Sequence, residues 1–325
     1  MKSLKATKLP FVSIVILNYN GIAFLGEGLK ECIESVLKTD YPSYEIIIVD
    51  NGSTDESIKY IQTNYGLRIN LVENEKNLGF SEGFNTGIRK SKGKYIALLS
   101  NDMTVSPNWI SPIINLFESD SSIGLAGFKR MLYGEKNVID SIGGYLYFDG
   151  RVKIVAFGVE DHGQYDNIIE DLDYIGGAMI LRRKTLEDVG LFDPEYIVYS
   201  EDVDLCFRIR KKGYKIIYVP ESIIWHKREG TFKGIDPSLR YTKYMAYRSR
   251  IRFVLIHFVI MRVFATFMMD SLYLLLDDGY WKIILIEAYW WNLKNIPKTI
   301  KYRLKYGPSP SDIKHPILYF LHKSN

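Results

Sequence analysis

The sequence predicts an α/β protein with a mostly parallel sheet and flanking helices, followed by an α-helical C-terminal region. Over the first 130 residues, short runs of β-branched and aliphatic residues alternate with helical patterns, which is typical of βαβ units. Beyond Pro237 the pattern is helical, with Gly279, Pro297 and Pro308 as interruptions. We therefore expect an α/β domain at residues 1–236 and a helical region at residues 237–325.

The regular part of the α/β domain contains five predicted strands. A helix is expected near residue 55, because Ser53 and Glu56 have the spacing of a capping box. Right-handed crossovers between the strands would place them in one parallel sheet. The strands are expected at Val12–Leu17, Glu45–Val49, Ile69–Val72, Tyr95–Leu99 and Ile123–Phe128.

The second half of this domain is less regular. Glycines and aromatic residues alternate between residues 130 and 175, which indicates a hairpin or a flexible loop. A helix is expected within residues 191–213, with Ser200 placed to cap it. Two more strands are expected after that helix, at Lys215–Val219 and Ile223–Trp225.

Four successive strands of the predicted sheet end in segments rich in Asn, Asp and Gly. In open α/β sheets, ligands bind beyond the carboxyl ends of the strands. One such segment alone is usually a turn, but four of them indicate a shared binding crevice. The segments are residues 18–21, 50–55, 73–79 and 100–102.

Asp102 and Asp50 are the candidate acids of this crevice. A carboxylate at the end of a buried strand can hold a hard divalent cation, and such a cation stabilises the charge on a leaving diphosphate. Asp102 fits that role, although it could instead cap the next helix. Asp50 suits a ribose hydroxyl or the imide of a base, and Tyr19 offers a ring for base stacking. The alternatives are a simple turn at Asp50 and a core position for Tyr19.

A second group of candidates lies further along the chain. Glu201 and Asp202 open a helix, and interaction with the helix dipole alone would explain them. The aromatic segment 192–199 would place them in a walled cleft, where a desolvated carboxylate can act as a general base. His226 follows an apolar strand and could be a metal or phosphate ligand, or a structural histidine.

Composition indicates the cellular setting. The two cysteines, Cys32 and Cys206, lack the spacing of a zinc site or a disulfide framework, which favours a reducing compartment. Residues 1–240 contain 29 Lys and Arg against 33 Asp and Glu, whereas residues 241–325 contain 13 against 5. This basic, Trp-rich and apolar tail predicts contact with an anionic membrane surface. The alternative is a helical subdomain packed on the core.

The longest apolar run, residues 251–276, is not expected to span a membrane. Arg262 and Asp270 lie within it, and charges at the centre of a bilayer are costly. Their spacing favours a helix lying in the membrane plane or packed in a helical subdomain. We therefore expect peripheral attachment at the cytoplasmic face of the cell membrane.

Taken in order, these segments resemble glycosyltransferase family 2, the inverting enzymes with the GT-A nucleotide-diphospho-sugar transferase fold. Each match alone is weak, but the ordered set covers residues 10–255, and the rhamnosyltransferase-like branch is the most similar. The matching segments are Ser13–Gly21, Ile48–Asp55, Asn77–Gly87, Leu98–Asp102, Gly176–Arg183, Leu191–Arg208, Trp225-His226 and Tyr247–Arg250.

The resemblance implies a role for each candidate residue. Asp102 would be the metal-binding acid for Mg²⁺ or Mn²⁺, with His226 as auxiliary ligand. Asp202 would be the general base of the family's Glu-Asp motif, with Glu201 beside it. The donor-binding residues would be Leu17, Tyr19, Asn20, Asp50, Asn77, Gly79 and Asn101. The chain departs from the family at Ser100, where the first acid of the metal motif is absent, which implies weaker metal affinity or a greater need for His226.

The implied reaction is a single displacement with inversion. The donor would be a UDP-, dTDP- or GDP-linked sugar, and the acceptor a hydroxyl of a saccharide or lipid-linked saccharide, in polysaccharide or glycoconjugate synthesis. Two alternatives stay open: a polyprenyl-phosphate sugar synthase, whose ionised acceptor needs no base, and a non-catalytic membrane-bound sugar-nucleotide sensor. A sugar-nucleotide pyrophosphorylase would need a basic, Gly-rich loop, which Asn18–Gly21 does not provide, and no nucleic-acid partner is expected.

Overall fold

The structure, a computed structural model, describes residues 9–169, 172–228, 239–276, 279 and 281–308. It confirms the predicted α/β fold with helices on the sheet and a helical C-terminal region. The predicted boundary at residue 236 lies outside the described residues.

The described residues form eleven strands and eleven helices. The strands are β1 (Val12–Asn18), β2 (Tyr44–Asp50), β3 (Asn70–Glu73), β4 (Tyr95–Ser100), β5 (Met103–Val105), β6 (Ile123–Leu132), β7 (Ile139–Ser141), β8 (Gly144–Leu146), β9 (Val152–Ile154), β10 (Met179–Arg182) and β11 (Lys215–His226). The helices are α1 (Gly21–Leu25), α2 (Glu27–Leu37), α3 (Ser57–Tyr65), α4 (Gly79–Lys90), α5 (Ser111–Ser119), α6 (Arg183–Val189), α7 (Glu201–Lys211), α8 (Arg240–His257), α9 (Ile260–Leu276), α10 (Trp281–Lys294) and α11 (Ile296–Tyr306).

The main sheet of the described chain has the strand order β3-β2-β1-β4-β10-β6-β11-β5, with β7 beside β6. All five strands predicted in the first 130 residues are present. The β3-β2-β1-β4 half is parallel, as expected. The other half is mixed, because β10 runs antiparallel to both of its neighbours. The predicted pair of strands at 215–225 is one strand, β11, with an irregularity between Val219 and Ile223.

Burial on both faces explains the run of aliphatic residues in β1. All seven of its residues are buried. Leu29 and Ile33 of α2 pack on one face of the sheet, and Phe84 and Ile88 of α4 pack on the other. Such two-sided coverage is usual for parallel strands, and it leaves the carboxyl edge of the sheet open for binding.

Two predicted helix caps are wrong, although both helices are present. The helix expected near residue 55 begins at Ser57, and Ser53 does not cap it because its hydroxyl donates to Asp50 instead, at 2.7 Å. Ser200 precedes α7 but makes no side-chain cap bond, because it adopts a left-handed conformation with φ 63°. The hairpin alternative for residues 130–175 is confirmed by β8 and β9.

The helical region packs directly on the α/β core. Phe253 and Ile256 of α8 are buried against Tyr196 and Val203, which flank the start of α7. Arg252 of α8 also donates to Asp193 at 2.6 Å. Within the part of the chain that is described, no helix combines the length and hydropathy needed to cross a membrane.

Candidate active site

The carboxyl ends of three neighbouring strands are joined by side-chain hydrogen bonds. Asn18, at the end of central strand β1, donates to Asp50 at the end of β2, at 2.8 Å. Asn101, just beyond β4, donates to Asn18 at 2.8 Å. The structure thus brings the predicted residues Asp50 and Asn101 together through Asn18. The sequence analysis placed Asn18 in a crevice segment but gave it no role of its own, although its place at the end of the central strand was the available signal.

Asp50 is fully enclosed by protein groups. It is completely buried, and it accepts hydrogen bonds from the backbone N–H and the hydroxyl of Ser53, at 2.8 and 2.7 Å. This is the turn geometry considered as the alternative for this position. A nucleoside contact of Asp50 stays a prediction, and it would require Asp50 to share oxygens that Ser53 and Asn18 already use.

The remaining predicted residues of the β1 end surround this turn. Asn20 has a left-handed backbone with φ 47°, and its side chain accepts from the Thr54 N–H at 2.7 Å. Leu17 is buried. Tyr19 is half-buried, with its ring 6.3 Å from that of Phe24. Tyr19 therefore lies at the edge of the core with part of its ring accessible.

Asn77 and Gly79 connect this side of the crevice to the loop that precedes α7. Asn77 accepts from the Gly79 N–H at 2.8 Å. Gly79 has φ 79°, and an added Cβ would lie 2.7 Å from Cγ2 of Ile197. The N–H of Phe80 donates to the Ile197 carbonyl at 2.6 Å. Only glycine allows this close approach. Gly79 therefore lets the start of α4 pack against the loop that leads to Asp202.

Asp102 and His226 are in direct contact. Asp102 Oδ2 lies 3.2 Å from His226 Nε2, because β5, which follows Asp102, pairs with the end of β11 at Met103 and His226. The helix-capping alternative for Asp102 is wrong, since a strand follows it. Its Oδ1 is buried and has no hydrogen-bond partner among the residues described. That unsatisfied oxygen, with the adjacent imidazole, fits a divalent cation.

His226 is held from its other side by Asp140, which the sequence reasoning missed. His226 Nδ1 lies 2.9 Å from Asp140 Oδ2, and Asp140 also accepts from Arg130 at 2.5 Å and from Arg228 at 2.6 Å. Burial raises the pKa of Asp140, but the His226 hydrogen bond and the Arg130 charge lower it to a net value below the usual range. Burial lowers the pKa of His226, and its bonds to Asp102 and Asp140 outweigh this and raise it.

The described residues hold no group of three or more His, Cys, Asp or Glu side chains arranged to bind a metal ion. Asp102 and His226 are a pair, in keeping with the absent first acid at Ser100. A cation there would need further ligands from a bound substrate or from water.

Glu201 and Asp202 form a buried carboxyl pair at the start of α7. Their exposed fractions are 5% and 8%. Tyr174 donates to Asp202 Oδ2 at 2.9 Å, and Asp202 Oδ1 accepts from the Val203 N–H at 2.8 Å. Burial raises the pKa of Asp202, and the Tyr174 hydrogen bond opposes this. Burial and the negative charge of Asp202 raise the pKa of Glu201 well above its usual range.

Arg130 links the two halves of the site. Its Nε donates to Asp140 and its Nη1 donates to the Gly176 carbonyl. Gly176 in turn lies against the Tyr174–Asp202 pair, because a Cβ added at Gly176 would fall 2.3 Å from Asp202 Oδ2. The Asp102–His226 and Glu201–Asp202 pairs are therefore connected through Asp140, Arg130 and Gly176. This arrangement places one candidate cation position and one candidate base in a single connected site.

The chain belongs to glycosyl transferase family 2, whose model matches residues 13–190. The chain therefore carries a glycosyltransferase domain of this family, as predicted. An uncharacterized glycosyltransferase of Haemophilus influenzae is 26% identical over 68% of this chain and 66% of its own. A poly-beta-1,6-N-acetyl-D-glucosamine synthase of Staphylococcus epidermidis is 24% identical over 66% of this chain and 52% of its own. The chain spans between about a quarter and two thirds of the length of the curated relatives it matches.

Solved structures show the same fold. A crystal structure of GalNAc-T7 with UDP, GalNAc and Mn²⁺ has a TM-score of 0.57 and 20% identity, and covers 77% of this chain and 49% of its own. S. aureus TarS 1-349 in complex with UDP has a TM-score of 0.52 and 14% identity, and covers 86% of this chain and 70% of its own. These neighbours confirm the predicted GT-A fold.

Proposed function

We propose that this chain transfers a sugar from a nucleotide-diphospho-sugar to an acceptor hydroxyl, with inversion, and that Asp202 is the general base. The observation that carries the proposal is the buried Glu201–Asp202 pair, joined through Arg130 to the Asp102–His226 pair. Family membership supports the reaction class. The structural neighbours GalNAc-T7 and TarS, both solved with UDP, support a nucleotide-linked donor, which is UDP-, dTDP- or GDP-linked in this proposal.

Asp202 is suited to accept a proton because of its neighbours. Two buried carboxyl groups side by side do not ionise together readily. Asp202 accepts from Tyr174 and from the Val203 N–H, which favours the charge on Asp202, whereas burial and that charge raise the pKa of Glu201. The raised pKa of Asp202 makes it a stronger base than an exposed aspartate. An acceptor phosphate would not need such a base, so this pair favours a hydroxyl acceptor over a polyprenyl phosphate.

Asp102 and His226 would hold Mg²⁺ or Mn²⁺ in this proposal. The bound cation would neutralise charge on the departing nucleoside diphosphate. The strand-end residues between Leu17 and Asn101 would bind and orient the donor. Asn18 and Ser53 hold Asp50 in place, and Gly79 allows close packing against the loop that precedes α7. Donor orientation and base position are thus set by one connected set of contacts.

The activity is tested with a panel of UDP-, dTDP- and GDP-sugars in Mn²⁺ or Mg²⁺. We expect release of the nucleoside diphosphate from one donor class, abolished by EDTA and restored by adding the cation. Binding of a nucleotide-sugar with no turnover over the whole panel, with saccharide acceptors present, would favour the non-catalytic sensor and contradict the proposal.

We also propose that the chain works at an anionic membrane surface, on a saccharide or lipid-linked acceptor, as a peripheral protein. Helix α9 supports this, because its two charged side chains face the protein. Arg262 donates to the Tyr147 carbonyl at 2.9 Å and to that of Phe148, and Asp270 accepts from Arg250 and Tyr289, each at 2.5 Å. The outward side chains are apolar and exposed, among them Ile260, Met261, Phe264, Met268, Leu272, Leu275 and Leu276.

Charge favours a membrane over a second copy of this chain as the cover of that face. The helical region is strongly basic, so two copies would repel each other, whereas anionic lipid would attract it. Trp290 of α10 is exposed, and the ammonium group of Lys294 lies 5.1 Å from its ring centroid. Exposed Trp beside Lys is typical of the lipid–water interface.

The Phe264→Glu, Met268→Glu double variant should lose membrane binding. We expect the wild-type chain to float with phosphatidylglycerol-containing vesicles, and the double variant to bind at least about ten-fold more weakly, because each buried apolar side chain contributes about 1.5–3 kcal/mol. Leu67→Glu is the matched control, since Leu67 is fully exposed elsewhere. Equal flotation of the double variant, or a dimer that only this variant disrupts, would contradict membrane docking through α9.

A further inference from the structure

Asp140 is a buried acid whose carboxylate contacts three basic side chains from other parts of the chain. It lies on β7 and is 0% exposed. Its Oδ2 accepts from Arg130 at 2.5 Å and lies 2.9 Å from His226 Nδ1. Its Oδ1 accepts from Arg228 at 2.6 Å. With both oxygens occupied by donors, Asp140 cannot turn away from His226.

This geometry determines which nitrogen of His226 is free. A neutral imidazole has one N–H and one lone pair. Because the Asp140 carboxylate is only an acceptor, it keeps the proton on Nδ1, and the lone pair is then on Nε2. Nε2 is the nitrogen that faces Asp102, at 3.2 Å from its Oδ2. A carboxylate behind a metal-binding histidine fixes its tautomer and ring orientation in this way.

We propose that Asp140 is a positioning residue for the cation site: it holds the Nδ1–H of His226 so that the Nε2 lone pair is presented beside Asp102. The inference rests on the proposed role of Asp102 and His226 as cation ligands. The orientation of His226 matters particularly in this chain, because Ser100 occupies the position of the first acid of the metal motif. With one carboxylate ligand, the cation depends more strongly on a correctly oriented histidine.

A purely structural role makes a different prediction. Asp140 also neutralises Arg130 and Arg228, so its removal would leave the largely buried Arg130 uncompensated and destabilise the fold. That loss would reduce stability without a specific effect on the tautomer of His226. Cation affinity of the folded protein and the protonation of the His226 ring therefore separate the two roles, whereas activity would not.

Cation affinity is measured by titrating the full chain with Mn²⁺ and following free Mn²⁺ by electron paramagnetic resonance. We expect Asp140→Ala to weaken Mn²⁺ binding about 10- to 100-fold. Asp140→Asn should weaken Mn²⁺ binding less than Asp140→Ala, because its amide oxygen can still accept from His226 Nδ1. Its NH₂ group would then face Arg228, whose side chain is partly exposed. Asp149→Ala is the matched control, since Asp149 is also a buried acid paired with an arginine, Arg151, at 2.5 Å.

The tautomer is read directly in the wild-type chain by long-range ¹H–¹⁵N NMR in Mg²⁺, where five histidines must be assigned. We expect His226 to carry its proton on Nδ1. A proton on Nε2, or Mn²⁺ affinity unchanged in a folded Asp140→Ala variant, would overturn the role of Asp140. If the wild-type chain bound no Mn²⁺ at all, the cation site of the proposed function would fail as well. Donor turnover with normal Mn²⁺ binding in Asp140→Ala would contradict the positioning role alone.

Discussion

Asp202→Asn is expected to lower kcat about 10²- to 10⁴-fold and to leave donor affinity nearly unchanged. The amide has the size of the carboxyl group and can still accept the Tyr174 hydrogen bond, but it cannot take a proton from the acceptor. Turnover is measured as nucleoside diphosphate release in the presence of acceptor, and donor binding by calorimetry. The contrast between lost turnover and retained binding is the signature of a base.

The control for this variant is Asp188→Asn. Asp188 lies on α6 and pairs with Lys184 at 2.7 Å, outside the site, so its amide should leave kcat close to the wild-type value. If Asp202→Asn retained wild-type turnover, Asp202 would not be the base. If it lost donor binding in parallel with turnover, Asp202 would act in donor binding, and the base would have to be sought elsewhere.

Asp204→Ala is expected to destabilise the fold by about 3–5 kcal/mol, because it breaks a buried ion pair and leaves a charge uncompensated. Asp204 is fully buried, accepts from Arg208 at 2.9 Å, and lies 2.6 Å from His257 Nε2 at the end of α8. The same residues therefore join α7, which carries Asp202, to the helical region. Urea unfolding measures the loss, with Asp120→Ala as control, because the Asp120–Lys215 pair is partly exposed and such pairs contribute about 0–1 kcal/mol.

The same network should contribute less to stability as the pH falls. Burial raises the pKa of Asp204, but the Arg208 charge and the His257 hydrogen bond lower it to a net value below its ordinary 3.8. Burial lowers the pKa of His257 below its ordinary value of 6.5. For both groups the unfolded chain binds protons more readily, so their contribution to stability falls as pH drops, first below 6.5 and again below 3.8. The raised pKa values of Glu201, Asp202 and His226 act in the opposite direction. The measurement is therefore the difference in unfolding free energy between the wild-type chain and Asp204→Ala, which should shrink on acidification, and a difference that grows would contradict this sign.

The sequence predicted the strand-end residues because of a general property of parallel sheets. Their carboxyl ends lie at one edge, so Asp50 and Asn101 had to be close even though 51 positions separate them in the chain. His226 was a candidate ligand from its place after an apolar strand, the resemblance to family 2 made it the auxiliary metal ligand, and the structure places it against Asp102. Strand periodicity could not predict the mixed half of the sheet, because β10 lies between β4 and β6 and runs antiparallel to both.

The residues that orient these groups could not be predicted. Asp140 lies in β7, a strand of three residues, and Tyr174 forms only an isolated bridge to Gly144, so neither has a readable alternation around it. Their contacts are also distant in sequence: Asp140 meets His226 across 86 positions, and Tyr174 meets Asp202 across 28. Asp140 reads in the sequence as an ordinary polar residue of a loop region, and only the pairing of β6 with β7 and β11 brings it to His226.

The orientation of α9 could not be predicted from the sequence either. The sequence showed that Arg262 and Asp270 oppose a membrane span, but not where they point. Their direction is set by the packing of α8, α10 and the turn at residues 147–151, which supply partners for both charges. The exposed face is therefore the uncharged one, which strengthens the case for a lipid surface as its partner.

The most direct test of the proposed mechanism follows the anomeric proton of the sugar by ¹H NMR during turnover of whichever donor the chain accepts. A single displacement with Asp202 as base predicts that the first-formed product has the anomeric configuration opposite to that of the donor. A first-formed product with the configuration of the donor would contradict the account, because it would require a second displacement that one base does not provide.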